Sequence, residues 1–393
     1  MELLNNKGTA SVWAGELEGF YMGATTPPIV TGVTYAYQDL DEWYDVALGN
    51  KKGHIYSRNS NPTVDLLEEK IRILENAESA TSFSTGMAAI SNTLYALLSP
   101  DDRVVSIKDT YGGTSKLFIE FLPAINVAVT LCETGNHEEM EAEIAKGCKL
   151  VYLETPTNPT LKVVDIKRLA SAAKKVNAIV VVDNTFATPI NQNPVALGAD
   201  IVIHSATKFL DGHSDVMGGL ACGRKDLIKK IHQYREINGA TLHPMSAYMI
   251  ARGMKTLELR VKRQNENAMT IAQFLTSHPK IERVNYPGLP THPGHEFIKK
   301  QMSGFGGMMS FVLKGGYENV KTFLTSLKLV RLAAHLGAVS TIAGPPRTTS
   351  HVELTEKQRA ELGIPESLVR YSVGIENAED LVADIEQALH RIK

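Results

Sequence analysis

Cysteine is scarce: Cys132, Cys148 and Cys222 are the only three in 393 residues. They are widely spaced, lie in or beside apolar sequence, and lack the spacings that hold zinc or an iron–sulfur cluster, so no metal centre is expected. They read as small buried hydrophobes of a reducing compartment, which makes a cytoplasmic location the expectation. An excess of one charge is missing as well. The 41 Lys and Arg nearly balance 43 Asp and Glu, and no basic block is present that would serve a nucleic acid. Apolar runs of signal-segment or membrane-span length are absent, so no membrane partner is expected either. Internal repeats and low-complexity tracts are also lacking.

What is present is enough apolar sequence, 43% of residues, for a large core, over a length that predicts two domains. Residues 1–55 are irregular, punctuated by Gly8, Gly15, Gly19 and Gly23 and stiffened by Pro27 and Pro28. They predict an arm that lies against something else, a partner subunit being one solution. After Asn61-Pro62-Thr63 the pattern turns helical, with Val64, Leu67, Ile71 and Leu74 on one face and Thr63 as a candidate cap. Apolar runs at 103–107, 126–133, 150–154, 178–183 and 200–204 do not alternate, as expected for strands covered on both faces. Helix-compatible stretches separate several of them, so residues 56–250 predict an α/β domain with a mostly parallel sheet. Residues 251–393 change texture: a long helical stretch at 249–278, strands at 307–313 and 370–375, and a closing helix with Leu381, Ile385, Leu389 and Ile392 in one stripe. They predict a smaller C-terminal α+β domain.

The densest chemistry follows the last central strand, in His204-Ser205-Ala206-Thr207-Lys208. A lysine at a strand mouth beside two hydroxyls suits a cofactor with an aldehyde and a phosphate, pyridoxal 5'-phosphate, although a lysine pointing into a wet loop is the plain alternative. Asp183 closes the preceding strand, where a carboxylate can keep a pyridine nitrogen protonated; a solvated turn carboxylate would look the same. Gly86 and Met87 open a helix-like stretch whose free amides can hold phosphate, or they are ordinary capping residues. Tyr111 can stack on a ring and exchange a proton, or fill a core. Asn158 ends another strand and can bond a ring oxygen or a carboxylate. Tyr56 and Arg58 pair a phenol with a guanidinium suited to phosphate. Arg370 stands inside an apolar strand, where either a substrate carboxylate or an internal acid must answer it.

These segments occur in one order over nearly the whole chain: TTPPI at 25–29, YSRNSNPT at 56–63, STGMAAI at 84–90, DTYGGT at 109–114, ETPTNP at 154–159, VDNTFATP at 182–189, HSATKFLDGHSDVMGG at 204–219, RGMKTL at 252–257 and VRYSVGIE at 369–376. Together they resemble the Cys/Met-metabolism family of fold-type I pyridoxal-phosphate enzymes, which includes cystathionine γ-synthases and cystathionine and methionine γ-lyases. The resemblance implies that Lys208 bonds the cofactor's aldehyde and later moves protons. It implies that Asp183 meets the ring nitrogen, that Tyr111 covers the ring, and that Gly86, Met87, Thr185, Ser205 and Thr207 hold the cofactor. Tyr56 and Arg58 are implied to reach in from a neighbouring subunit of a homotetramer built as a dimer of dimers. Asn158, Ser340, Thr341 and Arg370 are implied to face the amino-acid substrate.

The activity implied is a transferase or carbon–sulfur lyase of sulfur amino-acid metabolism. The preferred expectation is γ-replacement on an O-acylhomoserine with cysteine or another thiol. The alternative is γ-elimination giving 2-oxobutyrate, ammonia and a thiol, and a non-catalytic binding protein on the same fold is the competing class. Departures from the family pattern bear on that choice. Ser340 stands where cystathionine-handling relatives carry glutamate, and Gly113 where methionine γ-lyases carry cysteine. Arg347, in Gly344-Pro345-Pro346-Arg347, either reads an acidic substrate end or is a surface residue.

Overall fold

The computed structural model describes residues 4–17, 19–352 and 354–393. Seven strands form the larger sheet: β1 (Ser79–Phe83), β2 (Arg103–Ile107), β3 (Ala128–Cys132), β4 (Leu150–Glu154), β5 (Ile179–Asp183), β6 (Ile201–Ser205) and β7 (Gly219–Gly223), ordered β1-β7-β6-β5-β4-β2-β3. The ladders from β3 across to β6 are parallel, and β7 is antiparallel to both of its neighbours. The fold is α/β, as expected for a fold-type I enzyme. Strands β2 to β6 coincide with the five apolar runs because both faces are covered. Along β5, Val180 and Val182 enter one core while Val181 enters the opposite one.

Within this sheet two strands, β1 and β7, were not anticipated from the sequence. Their residues, SATSF and GLACG, are small and lack the branched run that signals a strand. Packing explains the choice: a Cβ on Gly219 would lie 2.1 Å from the Thr85 carbonyl oxygen, at the start of the helix Gly86–Leu97 that crosses the sheet.

The first clear helix spans Pro62–Leu74 and buries Val64, Leu67, Ile71 and Leu74 as its periodicity requires. Its cap is Asn61, whose side chain accepts from the Thr63 amide at 2.9 Å, not Thr63 as the sequence suggested. Thr63 instead accepts from the Val30 amide and donates to the Pro28 carbonyl, tying down the segment ahead of it. Residues before that are not uniformly irregular, for they contain helices Lys7–Trp13 and Leu40–Ala47. Ala10 and Ala14 enter the core of the larger sheet, and buried Glu16 bridges Lys70 and Lys255. Beyond them Trp13, Met22, Leu40, Trp43 and Tyr44 are exposed.

The smaller sheet consists of β8 (Ile281–Asn285), β9 (Met308–Leu313), β10 (Arg331–Leu332), β11 (Ile342–Gly344) and β12 (Leu368–Ser372), ordered β10-β11-β12-β9-β8. Only the β10–β11 pair is parallel. The stripe Leu381, Ile385, Leu389 and Ile392 packs with Phe311, Phe323 and Tyr371 in its core. The long helical stretch read at 249–278 is broken into helices Pro244–Met254 and Leu257–Ser277. The Gly253 carbonyl freed by the break takes hydrogen bonds from Thr256 Oγ1 and Arg260 Nη2, and Arg260 also reaches the Phe209 and Leu210 carbonyls. The second helix then runs from one core to the other, with Leu257 and Val261 under the larger sheet and Ala268, Ile271 and Leu275 under the smaller. Among the described residues no helix is long and apolar enough to cross a membrane, and no group of three acids, histidines or cysteines is placed to hold a metal ion.

Candidate active site

Parallel strands end together, so residues after β2, β4, β5 and β6 are delivered to one edge of the sheet, the usual place for a ligand in an α/β protein. A cavity of about 220 Å³ opens there, and the smaller sheet closes it from the far side. Gly86, Met87, Tyr111, Asn158, Asp183, Thr185, Ser205, Thr207, Lys208 and Arg370 all line it. Tyr56, Arg58, Ser340 and Thr341 do not. Tyr56 is exposed, with the Arg58 guanidinium 5.2 Å from its ring centre. The Thr341 hydroxyl is occupied, donating to Glu376 at 2.9 Å and accepting from the Gly374 amide at 3.0 Å. Arg347 also lies elsewhere: it pairs with Glu366 at 2.6 Å and stacks 4.3 Å over Tyr317, which is the surface reading.

At one end of the cavity the helix Gly86–Leu97 presents its first amides, capped by Thr85, which accepts from the Ala88 amide. Gly86 is required by close approach, since a Cβ there would lie 2.7 Å from Ser205 Cβ. Thr207 Oγ1 exchanges hydrogen bonds with Gly218, and Thr185 Oγ1 accepts from the Ser205 amide, so the loop after β6 is held in shape by the hydroxyls themselves. Amides, hydroxyls and a helix start make an anion end.

In the middle, Glu154 and Asp183 are neighbours in the β4–β5 ladder, and both are buried. Burial, and for Glu154 the charge of Asp183, raise both carboxyls above the usual range, while hydrogen bonds from Thr185 oppose the rise at Asp183. Glu154 also accepts from the Tyr111 amide at 2.7 Å, which fixes the backbone under that ring. Neither acid forms an ion pair with lysine or arginine among the described residues. A cationic group brought into the cavity would supply the missing partner.

Opposite charges stand unanswered on the other side. Burial pushes Lys208 down to about 8, with Arg370 contributing. Arg370 is 5% exposed and also has no acid partner among the described residues; it donates only to Asn158 Oδ1 at 3.3 Å and the His335 carbonyl at 3.2 Å. Burial lowers it to about 10. Of the two partners open to Arg370 in the sequence, the internal acid is therefore excluded among the described residues. Its fork is free for a carboxylate.

Several wall residues carried no signal in the sequence. Glu154 ends a run that was read only as a strand, and Ala334, Leu336, Thr349 and Ser350 come from the connections of the smaller sheet, Thr349 from the short helix Pro346–Thr349. His335, between the first two of these, places Nδ1 3.3 Å from Lys208 Nζ. Histidine in an irregular stretch is uninformative until its neighbours are known.

Residues 8–390 match the family described as Cys/Met metabolism PLP-dependent enzyme. The chain belongs to this family. The L-methionine gamma-lyase of Fusobacterium nucleatum subsp. polymorphum is 46% identical over 98% of both chains. The cystathionine gamma-lyase of Bacillus subtilis (strain 168) is 43% identical over 94% of this chain and 95% of its own. Among solved structures, a cystathionine gamma synthase from Xanthomonas oryzae pv. oryzae in complex with aminoacrylate and cysteine superposes with a TM-score of 0.93 at 39% identity, covering 98% of each chain. As a Cys/Met metabolism enzyme the chain is expected to use pyridoxal 5'-phosphate, and its cavity fits that group: an anion end, an acid pair needing a cation, and a lysine with no anion.

Proposed function

We propose that this Cys/Met metabolism enzyme catalyses γ-replacement on an O-acylhomoserine, taking the acetyl ester in preference to the succinyl ester and a small thiol as the incoming group. The observation that carries the substrate assignment is the cavity's distribution of charge. Its four charged side chains, Glu154, Asp183, Lys208 and Arg370, all serve the cofactor or the common amino-acid part of a substrate, and the remaining wall from Ala334, Leu336, Thr349, Ser350 and Ile90 is uncharged. Such a wall suits a short neutral γ-substituent and gives no partner to a succinyl carboxylate or a distal ammonium. γ-Elimination from methionine is the second reading, favoured by the same wall and by the similarity to methionine γ-lyases.

The helix Gly86–Leu97 and the hydroxyls of Ser205 and Thr207 would hold the phosphate, Asp183 the ring nitrogen, and Tyr111 the ring face. The bound cofactor supplies an electron sink for carbanions at the substrate's Cα and Cβ. Arg370 and Asn158 orient the substrate carboxylate, so that the Cα proton faces Lys208. Lys208, lowered toward neutral pH, removes that proton and carries protons at Cβ. Tyr111 gives a proton to the leaving group. Leu336 and Ile90 wall the cavity without offering a proton, so that once the γ-substituent has left, Cγ takes the incoming thiol, giving replacement, rather than a proton, giving elimination.

The assembly proposed is a homotetramer made of dimers. Among the described residues the cavity's anion end has no cation from its own chain, and Arg58 is exposed with no acid partner. Arg58 and Tyr56 of a neighbouring subunit would complete it, and the exposed apolar residues between Trp13 and Tyr44 would be covered in the same contact. The activity is tested with O-acetyl- and O-succinylhomoserine plus methanethiol, sulfide or cysteine, and with methionine and cystathionine alone. Formation of the replacement product, a thioether from methanethiol or cysteine and a thiol from sulfide, fastest from the acetyl ester supports the proposal. Rapid 2-oxobutyrate from methionine with no replacement product from either ester selects the second reading.

A further inference from the structure

His335 has no part in the scheme above, yet its ring is the partner of Lys208. Nδ1 lies 3.3 Å from Lys208 Nζ, and Nε2 is buried without a hydrogen-bond partner among the described residues. Lys208 Nζ likewise has no other hydrogen bond or ion pair among them. Each side chain therefore fixes the other. The backbone of His335 is pinned separately, its carbonyl accepting from Arg370 Nη2.

The charged groups facing the ring come from two elements: Lys208 from the loop after β6 and Arg370 from β12, with Tyr111 beyond Arg370. Burial first, then those two cations, drive His335 down to about 4. It is neutral throughout the range in which Lys208, near 8, gains and loses its proton. A neutral imidazole that meets an ammonium through Nδ1 presents a lone pair there and carries its proton on Nε2. An imidazolium would repel the ammonium and offer it no lone pair; burial, and then the neighbouring cations, disfavour one.

We propose that His335 is a positioning residue for Lys208, a neutral imidazole whose Nδ1 accepts a hydrogen bond from the free amine and holds it at the cavity wall. The side chain of lysine is a flexible four-carbon stem, and an acceptor at its tip selects the arrangements from which it can reach the substrate's Cα. The inference rests on Lys208 being the reactive amine of the proposed function.

Two measurements on the full chain test it. In protein stripped of cofactor, the pH dependence of Lys208 acylation by a small anhydride, read by mass spectrometry, follows the amine itself. His335→Leu keeps the site buried and removes the acceptor, so the acidity of Lys208 should rise about tenfold or more, and His335→Gln, with a carbonyl that can accept, should restore it. An unchanged or higher acylation midpoint in His335→Leu overturns the proposal; His335→Met serves if the leucine variant does not fold. In the loaded enzyme His335→Leu should lower kcat about tenfold or more with KM within about threefold, and His335→Gln should recover part of it. Loss of kcat with no recovery by glutamine and an unmoved Lys208 midpoint assigns a merely structural role and also overturns it. The acylation measurement needs neither cofactor nor substrate, so it stands or falls apart from the reaction assignment.

Discussion

Replacing Arg370 with methionine separates two effects of opposite sign. In the ligand-free protein its guanidinium is buried and lowered to about 10, chiefly through that burial. A fall of that size corresponds to roughly 3 kcal/mol of desolvation that no internal acid returns. Methionine removes this cost and leaves Asn158 Oδ1 and the His335 carbonyl without their donor, at about 1 kcal/mol each. The two terms nearly cancel, so the thermal midpoint should stay within about 3 °C of wild type or rise. Catalysis should behave differently. A buried substrate carboxylate that loses its bidentate partner is destabilised by about 2–5 kcal/mol, or roughly 30- to 5,000-fold in kcat/KM. Arg370→Lys should recover part of the loss, having the charge without the fork. The assays are thermal unfolding of the cofactor-free chain and steady-state kinetics on the amino-acid substrate. A loss in kcat/KM below about tenfold, or a midpoint lowered by more than about 6 °C, refutes the reasoning and makes Arg370 a structural hub.

Lys208 is lowered from 10.5 to about 8 in the folded chain, so between those values the unfolded state binds the extra proton and stability rises with pH. Lys70 shifts in the same direction, so the contribution of Lys208 is read as the difference between wild type and Lys208→Met in denaturant titrations from pH 7 to 11, and an identical pH slope in both counts against it. Arg58→Ala should weaken cofactor retention about tenfold or more in equilibrium dialysis while Lys208 still bonds the cofactor in mass spectrometry; full retention would remove Arg58 from the phosphate. Gly86→Ala forces a Cβ to 2.7 Å from Ser205 and should reduce cofactor affinity more than it lowers the thermal midpoint, whereas a purely thermal effect would place Gly86 outside the phosphate cradle.

Strands β2 to β6 were legible because burial on both faces selects continuous Val, Ile and Leu, and with them came the ends that deliver Tyr111, Asn158, Asp183 and Lys208. Arg370 was legible as a charge out of place in apolar sequence. Strands β1 and β7 were not, because close helix packing there selects small residues that carry no strand signal. The Thr63 cap was misread since Asn61, two residues earlier, is the stronger acceptor at that turn. Thr341 illustrates the limit within the site: whether a hydroxyl faces a cavity or an internal Glu376 depends on the direction of one loop residue. His335 depends on the packing of one sheet against the other, which local sequence does not encode.

That packing divides the cavity by origin. Gly86, Met87, Asp183, Thr185, Ser205, Thr207 and Lys208 all belong to the larger sheet and its connections, whereas Arg370, Leu336 and His335 come from the smaller one. In the proposed site, a larger sheet formed alone would hold only its own chain's share of the cofactor's contacts, and it would have no carboxylate fork and no partner for its lysine. Cofactor capture and substrate recognition are thus separable in assembly: colour can report that the first half is in place, and only turnover reports that the halves have met.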